Sequence, residues 1–414
     1  MKPLPGFRDF LPESCALRNA IFARWRATCR RYGFAEWAGP ILEPTDLFQK
    51  KSGPEIVAQL FNFTDKGGRE VTLRPELTPT LARVVATHER EFRKPFKWFS
   101  IAQCFRYEKQ QRGRLREHFQ LNCDILGDAS PAAEVELIAL AIDLLRAFGF
   151  TEKDVVVRLS DREFWTDLLR SHGVPEERWS ELLAVIDKSE REPREKTAAQ
   201  LGSLADPVLE VLDGGGRSEK LEQLVEAVRL RGLADFVQVD LSIVRGLAYY
   251  TGVVFEVFDR SETFRAIAGG GRYDNLIGQL SDGAVALPAV GFAMGDVVLG
   301  EMIATVPAAS ERMAEFLSNA QALDLYLVIA KEERRPDAMR QLQALRDAGS
   351  RVDYPLTPAK VGKQFQTAEA LGAKVTLLYG DEWPAVKMKT LATREEVLVP
   401  NEDLLTHIQR TLSP

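Results

Sequence analysis

The first part of the chain combines one amphipathic helix with a series of short apolar segments. Residues 16–33 repeat apolar positions at intervals of three and four residues and stop at Gly33, which predicts a helix. Turn residues, and not crossover helices, separate most of the strand-like segments that follow, which are PILEPTDLF, QLFNFTD, REVTLR, KWFSIAQCFRYE and FQLNCDILG. This arrangement predicts an antiparallel sheet.

Helical patterns then interrupt the strand series. Ser130 and Pro131 open the segment PAAEVELIALAIDLLRAF, with the serine as predicted cap and the proline at the first helical position. Residues 161–235 are charged and rich in Leu, Glu and Arg, which indicates an inserted helical segment. Strand-like segments resume after it: FVQVDLS, AYYTGVVFEVFD and FRAIAGG.

The C-terminal part follows a different order. A polar stretch at 306–320 is predicted to be a linker helix or a hinge. Beyond it, strand-like LDLYLVIA, RVDYPL and KVTLLYG alternate with helical segments. The order β-α-β-α-β predicts a small parallel sheet with helices on its faces. This region has no G-x-G-x-x-G or Walker signature. We therefore predict two domains, residues 1–320 with an insertion at about 161–235, and residues 321–414.

Composition and charge exclude several classes of protein. The 414 residues carry a net charge of −6, which argues against nonspecific coating of nucleic acid but not against a local basic groove. Four scattered cysteines without a CxxC pair argue against a disulfide framework and a structural zinc site, and suit the reducing cytoplasm. No signal peptide and no uninterrupted apolar span is present, so we expect a soluble protein with no membrane partner. Because the chain has only four histidines and no Cys/His cluster, we also expect no metal ligands.

A dense group of cations lies between two predicted strands, within residues 105–124. Its members are Arg106, Lys109, Arg112, Arg114 and Arg116. Guanidinium groups match phosphate oxygens with paired hydrogen bonds, so the group could bind an anion; a solvated hairpin tip is the alternative, which composition alone favours. On the return strand, Gln120, Asn122 and Asp124 alternate and should face one side of the sheet. The ring of Phe119 could stack on a base.

Three further segments offer candidate binding groups. Arg245 lies in an otherwise apolar segment, where a buried arginine needs an anionic partner, either a ligand or an internal carboxylate. The glycines at 269–271 allow close backbone approach of an anion, or simply a tight turn. Glu76 and Thr78 precede a predicted helix, where they could bind an amino group or form a capped helix entry.

Taken together and in this order, these segments resemble the histidyl-tRNA synthetase family of class II aminoacyl-tRNA synthetases over nearly the whole chain. The matching segments are PGFRDFLP, PILEPTDLF (motif 1), TLRPELT, FRYEKQQRGRLREHFQLNCD (motif 2), VRGLAYYTGVVFE, AGGGRYDNLIGQL and AVGFAMGDVVL (motif 3). The C-terminal alternation is similar to the family's anticodon-binding domain. The resemblance implies an α+β class II antiparallel-sheet catalytic domain with a helical insertion, followed by an α/β anticodon-binding-like domain.

The resemblance also implies an activity and the residues that perform it. Such enzymes activate histidine with ATP and Mg²⁺ to histidyl-adenylate, transfer it to tRNA(His), and act as cytoplasmic homodimers. Arg106 and Arg245 would be the catalytic residues at the α-phosphate. The implied histidine contacts are Glu76, Thr78, Arg106, Gln120, Asp124, Arg245, Tyr249 and Tyr250. The implied ATP contacts are Arg106, Glu108, Arg114 and Phe119, the last stacking on adenine.

Motif 3 departs from the family's pattern. Family members normally read G-L-E-R-L there, with the arginine on the γ-phosphate, whereas residues 295–299 read GDVVL. Val298 cannot bind phosphate, and Asp296 adds a negative charge. A paralogue, the regulatory subunit of ATP phosphoribosyltransferase, keeps the fold without aminoacylation and is the alternative function. The anticodon-like domain, Arg245 and the motif 2 cations favour an active synthetase. The candidate replacements for the missing arginine are Arg112, Arg265 and Arg272.

Overall fold

The N-terminal amphipathic pattern forms helix α1, Pro12–Arg31, in the computed structural model, which describes residues 2–49, 57–109, 113–244 and 249–412. One face of α1 buries Ile21 and Trp25. The helix stops as predicted before Gly33, whose φ of 76° lies in the left-handed region that glycine adopts without strain.

A small antiparallel sheet follows α1. The elements of this part are β1 (Ala35–Glu36), β2 (Leu42–Pro44), α2 (Thr45–Gln49), β3 (Phe61–Thr64), β4 (Glu70–Leu73) and α3 (Thr78–His88). Strands β2, β4 and β3 pair in that order. The segment PILEPTDLF is therefore only partly a strand, because Thr45 begins a short helix that buries Leu47 and Phe48.

A larger sheet forms the body of the first compact unit, Met1–Met313. Its further elements are β5 (Phe96–Phe105), β6 (Glu117–Leu126), α4 (Pro131–Arg146), β7 (Val155–Asp161), α5 (Arg162–Ser171), α6 (Trp179–Lys188), α7 (Arg194–Leu201), α8 (Ala205–Glu210), α9 (Glu219–Arg229), β8 (Val237–Val239), β9 (Val253–Asp259), β10 (Ala268–Arg272), α10 (Leu276–Leu280), β11 (Ala289–Gly295) and α11 (Asp296–Thr305). Within the described residues the strand order is β1-β5-β6-β11-β10-β9-β7-β8, antiparallel except for the parallel pairs at the two edges.

Helix α4 covers one face of this sheet. It packs against β6, β10 and β11 and also contacts α1. Its apolar residues, such as Leu137, Ile138 and Leu145, are fully buried. Pro131 opens the helix as predicted, but the side chain of Ser130 makes no capping hydrogen bond. Asp128 instead accepts a hydrogen bond from the Ser130 backbone N–H at 2.8 Å.

The predicted helical insertion is present as α5 to α9, between β7 and β8. Asp161 caps α5 by accepting a hydrogen bond from the Glu163 N–H, and Ser218 caps α9 by accepting one from the Leu221 N–H. Leucines and isoleucines of these short helices, such as Leu182 and Ile186, form a buried interior while the charged residues remain at the surface. Because each helix has an apolar face and a charged face, the segment folds as a group of helices packed around a shared apolar interior.

The second compact unit, Ala314–Pro414, contains a mixed sheet. Helix α12 (Pro307–Gln321) is the predicted linker helix, and the boundary between the two units falls inside it. The elements beyond it are β12 (Leu325–Ile329), α13 (Arg335–Asp347), β13 (Val352–Asp353), α14 (Val361–Ala370), β14 (Val375–Tyr379), β15 (Ala385–Thr390), β16 (Glu396–Pro400) and α15 (Leu404–Leu412). The strand order is β13-β12-β14-β15-β16.

Helices cover both faces of this second sheet, as the alternating pattern predicts. Leu325 and Leu327 pack on the side of α13 and α15, whereas Tyr326 and Val328 pack on the side of α14. The three predicted strands, β12, β13 and β14, pair in parallel as expected, and β15 and β16, which were not predicted, add two antiparallel strands at one edge. In the part of the chain that the structure describes, no helix is both long and apolar enough to cross a membrane.

Candidate active site

A cleft of about 1000 Å³ opens on the first unit, at the ends of β6, β10 and β11. Three segments singled out in the sequence analysis meet there: motif 2, the glycine-rich segment and motif 3. Its lining residues include Arg106, Glu108, Gly113, Arg114, His118, Gln120, Arg158, Asp187, Glu190, Glu256, Arg265, Gly269, Gly295, Val297 and Val298. The cleft thus combines guanidinium groups from several elements with carboxylates.

Glu108 holds two arginines of motif 2 at the cleft wall. Its Oε2 accepts a hydrogen bond from Arg114 Nη1 at 2.7 Å, and its Oε1 lies 3.9 Å from Arg106 Nη1. Arg106 Nε also donates to the Pro75 carbonyl at 3.0 Å, which fixes the side chain from a second direction. These two guanidiniums are therefore oriented before any ligand binds.

The other motif 2 cations are not equivalent to these two. Arg116 donates from Nε to the Glu108 carbonyl and stacks over the Tyr107 ring at 4.2 Å, so it packs at the base of the hairpin. Lys109 is exposed, and Arg112 lies outside the described residues. Among the described cations of motif 2, Arg106 and Arg114 are those that line the cleft.

Phe119 lies on the face of β6 that is opposite to the cleft. Its ring packs against Phe22 of α1 at 5.2 Å and against Phe10 at 6.0 Å, with the Arg18 guanidinium 5.4 Å from its centroid. This position corrects the prediction that Phe119 stacks on adenine. The neighbouring ring, His118, is the one that lines the cleft.

His118 is an uncharged ring in this environment. Burial, followed by the charge of Arg106, lowers the pKa of His118 to about 3. Its Nε2 lies 3.3 Å from Gln120 Oε1, which fixes the plane of the ring. The imidazole is therefore a neutral aromatic surface beside two guanidiniums at neutral pH.

A chain of buried polar side chains lies beside the cleft. Tyr249 donates its hydroxyl proton to Glu76 Oε2 at 3.0 Å, and Tyr273 donates to Asp124 Oδ1 at 2.6 Å. The rings of Tyr249 and Tyr273 meet edge to face at 6.1 Å, and Tyr250 packs at 5.1 Å from Tyr249. The fold therefore brings Glu76, Tyr249, Tyr250 and Asp124 together, from segments far apart in the sequence.

Two predicted residues, Thr78 and Gln120, join this group through their hydrogen bonds. The Thr78 side chain is hydrogen bonded to Tyr249, whose pKa is raised well above its ordinary value by burial and by the charge of Glu76. Gln120 Nε2 donates to Asn122 Oδ1 at 2.7 Å, on the face of β6 that Asp124 shares. Arg245 lies outside the described residues. Arg74, beside Glu76 in sequence, donates to the carbonyls of residues 39, 40 and 103 and is structural.

Asp124 carries a buried acceptor that no described group satisfies. Its Oδ1 accepts from Tyr273, but its Oδ2 has no hydrogen-bond partner among the described residues. Burial raises the pKa of Asp124 to about 7. Gly291 lies opposite Asp124 on β11, and a Cβ atom there would come within 1.9 Å of Asp124 Oδ1. The carboxyl group thus occupies space that only a glycine leaves open.

Asp296 of motif 3 faces motif 2 and the N-terminal segment. Its Oδ1 accepts a hydrogen bond from the Phe119 backbone N–H at 2.9 Å, and its Oδ2 pairs with Arg8 Nη1 at 2.9 Å. Arg8 also lies 3.5 Å from Glu117 Oε1. The negative charge that the sequence analysis assigned to the phosphate site is therefore offset by Arg8, although burial still raises the pKa of Asp296.

The structure separates two of the arginines considered as replacements for the missing motif 3 arginine. Arg272 is buried and forms a two-pronged ion pair with Glu134, at 2.5 Å from Nε and 2.6 Å from Nη2, so its proposed phosphate contact is wrong. Arg265 lines the cleft together with Val297 and Val298.

Sequence reasoning missed His118, Tyr273 and Arg8. Tyr273 directly follows the glycine run and Arg8 lies in PGFRDFLP, so both were inside segments already singled out. Strand alternation could have indicated His118, because residues two apart on a strand face the same side and His118 is two residues before Gln120. Among the described residues no group of three or more His, Cys, Asp and Glu side chains is arranged to hold a metal ion.

Comparisons with known proteins agree with this geometry. A family model described as histidyl-tRNA synthetase matches residues 6–297, and one described as anticodon binding domain matches residues 324–411. Together the two matches span most of both compact units.

Two curated relatives are similar along nearly their whole length. The histidine–tRNA ligase of Opitutus terrae is 46% identical, with 97% of this chain and 96% of the relative covered. The chloroplastic/mitochondrial histidine–tRNA ligase of Arabidopsis thaliana is 37% identical, with 98% of this chain and 86% of the relative covered.

A solved structure, the histidyl-tRNA synthetase from a Nostoc species, shares the fold with a TM-score of 0.75 at 24% identity, covering 99% of each chain. The fold, the family models and the identity to curated relatives all lead to one conclusion. The chain belongs to the histidyl-tRNA synthetase family.

Proposed function

We propose that this protein is a histidine–tRNA ligase, an ATP-dependent enzyme that forms histidyl-adenylate and transfers the histidyl group to tRNA(His). The observation that carries the proposal is the 46% identity to the Opitutus terrae histidine–tRNA ligase over nearly the full length of both chains. The site supplies the chemistry, with oriented guanidiniums in the cleft and buried carboxylates beside it. The regulatory-subunit alternative is not favoured, since the chain also matches the anticodon binding domain at residues 324–411.

The first step is attack of the histidine carboxylate on the α-phosphorus of ATP, with pyrophosphate leaving. Negative charge grows on the phosphoryl oxygens as the new P–O bond forms. Arg106, fixed by the Pro75 carbonyl and by Glu108, is oriented to stabilise that charge without rearranging. Arg245 takes the second catalytic role by resemblance, and Arg114 with Glu108 contacts ATP.

The histidine substrate is recognised in the buried chain of polar side chains. Asp124 Oδ2 has no described partner and would accept a hydrogen bond from an imidazole N–H. Glu76, with Thr78 and Tyr249 around it, would bind the α-amino group. The neighbours Gln120 and Tyr250 complete the pocket wall.

The adenine ring would stack on His118 instead of Phe119. A neutral imidazole offers an aromatic face to a purine, and His118 is the ring of this strand that lines the cleft. Phe119 contributes by holding β6 against α1.

Mg²⁺ would accompany ATP as the second component of the substrate complex. Such ions are held by one or two carboxylates together with substrate phosphates, and not by a preformed protein cage. Glu108 and Glu256 provide carboxylates at the cleft wall, so the donor set fits. The ion would neutralise phosphate charge near these residues.

We assign the remaining roles by domain. Residues 1–320, with the insertion at about 161–235, form the catalytic domain, and residues 321–414 bind the tRNA anticodon region. The enzyme would act in the cytoplasm, where its four free cysteines stay reduced.

Histidine-dependent exchange of labelled pyrophosphate into ATP tests the proposed activity. We expect exchange with histidine, none with other amino acids, and charging of tRNA(His) by the same preparation. The binding alternative predicts that histidine binds but that no exchange occurs at saturating ATP and histidine. That result would move the assignment to a regulatory subunit.

The role of His118 is tested by its alanine and phenylalanine variants. Loss of base stacking costs about 1–3 kcal/mol, so His118→Ala should raise the KM for ATP by about tenfold or more in pyrophosphate exchange. His118→Phe should stay close to wild type. Phe119→Leu is the matched control, and a larger effect of Phe119→Leu than of His118→Ala on this KM would refute the assignment.

The raised pKa of Asp124 predicts a pH-dependent cost to stability. Between the ordinary pKa near 3.8 and about 7, the unfolded chain loses a proton that the folded chain keeps, so stability falls as pH rises through this window. Asp124→Asn should therefore raise the free energy of unfolding by about 4 kcal/mol at pH 8 as an upper limit, and by much less at pH 5. It should also abolish histidine-dependent exchange.

Urea unfolding at both pH values measures this effect. Asp128→Asn is the control, because hydrogen bonds from Ser130 lower the pKa of Asp128, so its contribution should be the same at pH 5 and pH 8. Equal effects of Asp124→Asn at the two pH values would contradict the prediction.

We also propose a homodimer formed through the three-stranded sheet. Ile41 and Leu42 are each 42% exposed and Phe63 is 49% exposed, which is costly for apolar groups unless a second copy covers them. Sedimentation at micromolar concentration should give the dimer mass, and Leu42→Asp with Phe63→Asp should give monomer. Leu371→Asp, at an equally exposed leucine of the second unit, should not. A wild-type monomer would exclude this interface.

A further inference from the structure

The start of β6 is paired with a strand on one side only, in the part of the chain that the structure describes. All ten residues of β6 pair with β5, but the pairing with β11 begins at Gln120, opposite Gly295. Residues 117–119 therefore need other acceptors for the backbone N–H groups on the β11 side. This short stretch matters for the cleft, because His118 lies in the middle of it and lines the cleft wall.

The N-terminal segment, residues 5–12, supplies the first of these acceptors. The Gly6 carbonyl accepts hydrogen bonds from the N–H groups of Arg116 and Glu117, both at 3.1 Å. The Arg116 carbonyl in turn accepts from the Arg106 N–H at 2.9 Å, so the segment lies along the base of the motif 2 hairpin. Gly6 has a φ of 87°, and a Cβ atom there would lie 2.7 Å from Arg116 Cγ, so this close approach requires glycine.

The carboxylate of Asp296 supplies the second acceptor. Asp296 directly follows the last paired residue of β11 and accepts the Phe119 N–H at 2.9 Å. The N–H groups of Glu117 and Phe119 are two residues apart and point to the same edge of the strand. Gly6 and Asp296 therefore take the place of a partner strand on this edge, one on each side of His118.

Arg8 joins the two carboxylates of this arrangement. Its Nη1 lies 2.9 Å from Asp296 Oδ2, and its Nη2 lies 3.5 Å from Glu117 Oε1. Glu117 has further donors, the Arg8 backbone N–H at 3.3 Å and Gln103 Nε2 at 3.3 Å. Among the described residues, the hydrogen-bond partners of Asp296 are Arg8 and the Phe119 N–H. The charge of the buried Asp296 thus depends on Arg8 for its balance.

The loss of Arg8 would reach the cleft through Asp296, because a buried carboxylate without its countercharge is costly. Burial raises the pKa of Asp296, and the positive charge of Arg8 opposes that rise. Without Arg8, Asp296 would take up a proton or turn towards solvent. Either change weakens the hydrogen bond from the Phe119 N–H, since such a bond is stronger when its acceptor is charged. The neighbouring His118 would then lose its fixed position.

We propose that Arg8 is a positioning residue for the ATP cleft, because it holds the two carboxylates that fix residues 117–119. The inference rests on the proposed function in taking ATP as the ligand. Arg8 itself lies outside the cleft lining, so it acts through the strand and not by touching ATP. Gln120 and Asp124 lie where β6 is paired on both edges, so histidine binding depends on Arg8 much less.

The KM values for the two substrates in pyrophosphate exchange test this role. Arg8→Met removes the guanidinium but keeps an apolar side chain of similar length. It should raise the KM for ATP by about tenfold or more, the scale of a lost base-stacking contact, and the KM for histidine by less than about threefold. An equal rise in both KM values would assign Arg8 to the fold in general and overturn the proposal.

Two further variants separate the charge of Arg8 from its geometry. Arg8→Lys keeps the countercharge, but its single ammonium cannot hold both carboxylates as a guanidinium fork does, so the KM for ATP should rise by only about threefold. Arg26→Met is the matched control, because it breaks an exposed ion pair with Glu36 and should leave both KM values unchanged. An Arg8→Lys variant as impaired as Arg8→Met would contradict the role of the charge.

A rescue by Asp296→Asn tests the route through Asp296. The asparagine keeps an oxygen for the Phe119 N–H and removes the buried charge, so the double variant Arg8→Met/Asp296→Asn should have a lower KM for ATP than Arg8→Met. This double variant, together with Arg8→Lys, decides the matter even when Arg8→Met does not fold, because neither leaves a buried charge unpaired. A double variant no better than Arg8→Met, or one that does not fold, would overturn the proposal.

Amide hydrogen exchange gives a readout that does not depend on activity. Arg8→Met, or Arg8→Lys in its place, should speed hydrogen exchange by about tenfold or more at residues 117–119 and leave residues 121–126 as in wild type. Unchanged protection at 117–119 would overturn the proposal. Wild-type protein that binds Mg-ATP but performs no pyrophosphate exchange would refute the proposed function, while Arg8 is still judged by hydrogen exchange and Mg-ATP binding. Wild-type protein that binds no ATP would overturn both.

Discussion

The register of β6 is the constraint on which the active site depends. All ten residues of β6 pair with β5, and seven of them also pair with β11, from Gln120 with Gly295 to Leu126 with Ala289. A slip by one residue would turn every β6 side chain to the other face of the sheet. His118, Gln120 and Asp124 would then point towards α1, and the ring of Phe119 would enter the cleft. Because β6 pairs with β5 on one edge and with β11 on the other, this shift in register is prevented.

The altered motif 3 is tied to the same strand. Asp296 accepts the Phe119 N–H just beyond the point where β6 and β11 stop pairing, so it continues the contact between these two segments. A buried carboxylate is costly unless it is paired, and Arg8 of the N-terminal segment provides the pairing. The N-terminal segment, motif 2 and motif 3 therefore accommodate the Asp296 carboxylate together, although they are distant in sequence. These contacts do not replace the phosphate contact of the arginine that motif 3 lacks.

Much of the fold and part of the site could be predicted from the sequence, for physical reasons. Alternating and helical periodicities located the sheets and the insertion, but β15 and β16 escaped because AVKMKT and EVLVP are short and partly charged. The adenine contact was assigned to Phe119, although strand alternation places its side chain on the face of β6 opposite to Gln120 and Asp124. The Arg272–Glu134 pair joins residues 138 positions apart, so no local pattern could reveal that Arg272 was already neutralised.

The contact between Gly291 and Asp124 has a consequence for how this enzyme can evolve. Any side chain at position 291 would occupy the space of the Asp124 carboxyl group, since even a Cβ atom would approach Oδ1 to 1.9 Å. Position 291 can therefore gain a side chain only when position 124 becomes smaller at the same time. If Asp124 contacts the substrate histidine, as proposed, this wall can be enlarged at position 291 only together with a smaller residue at position 124, because residue 291 cannot change alone.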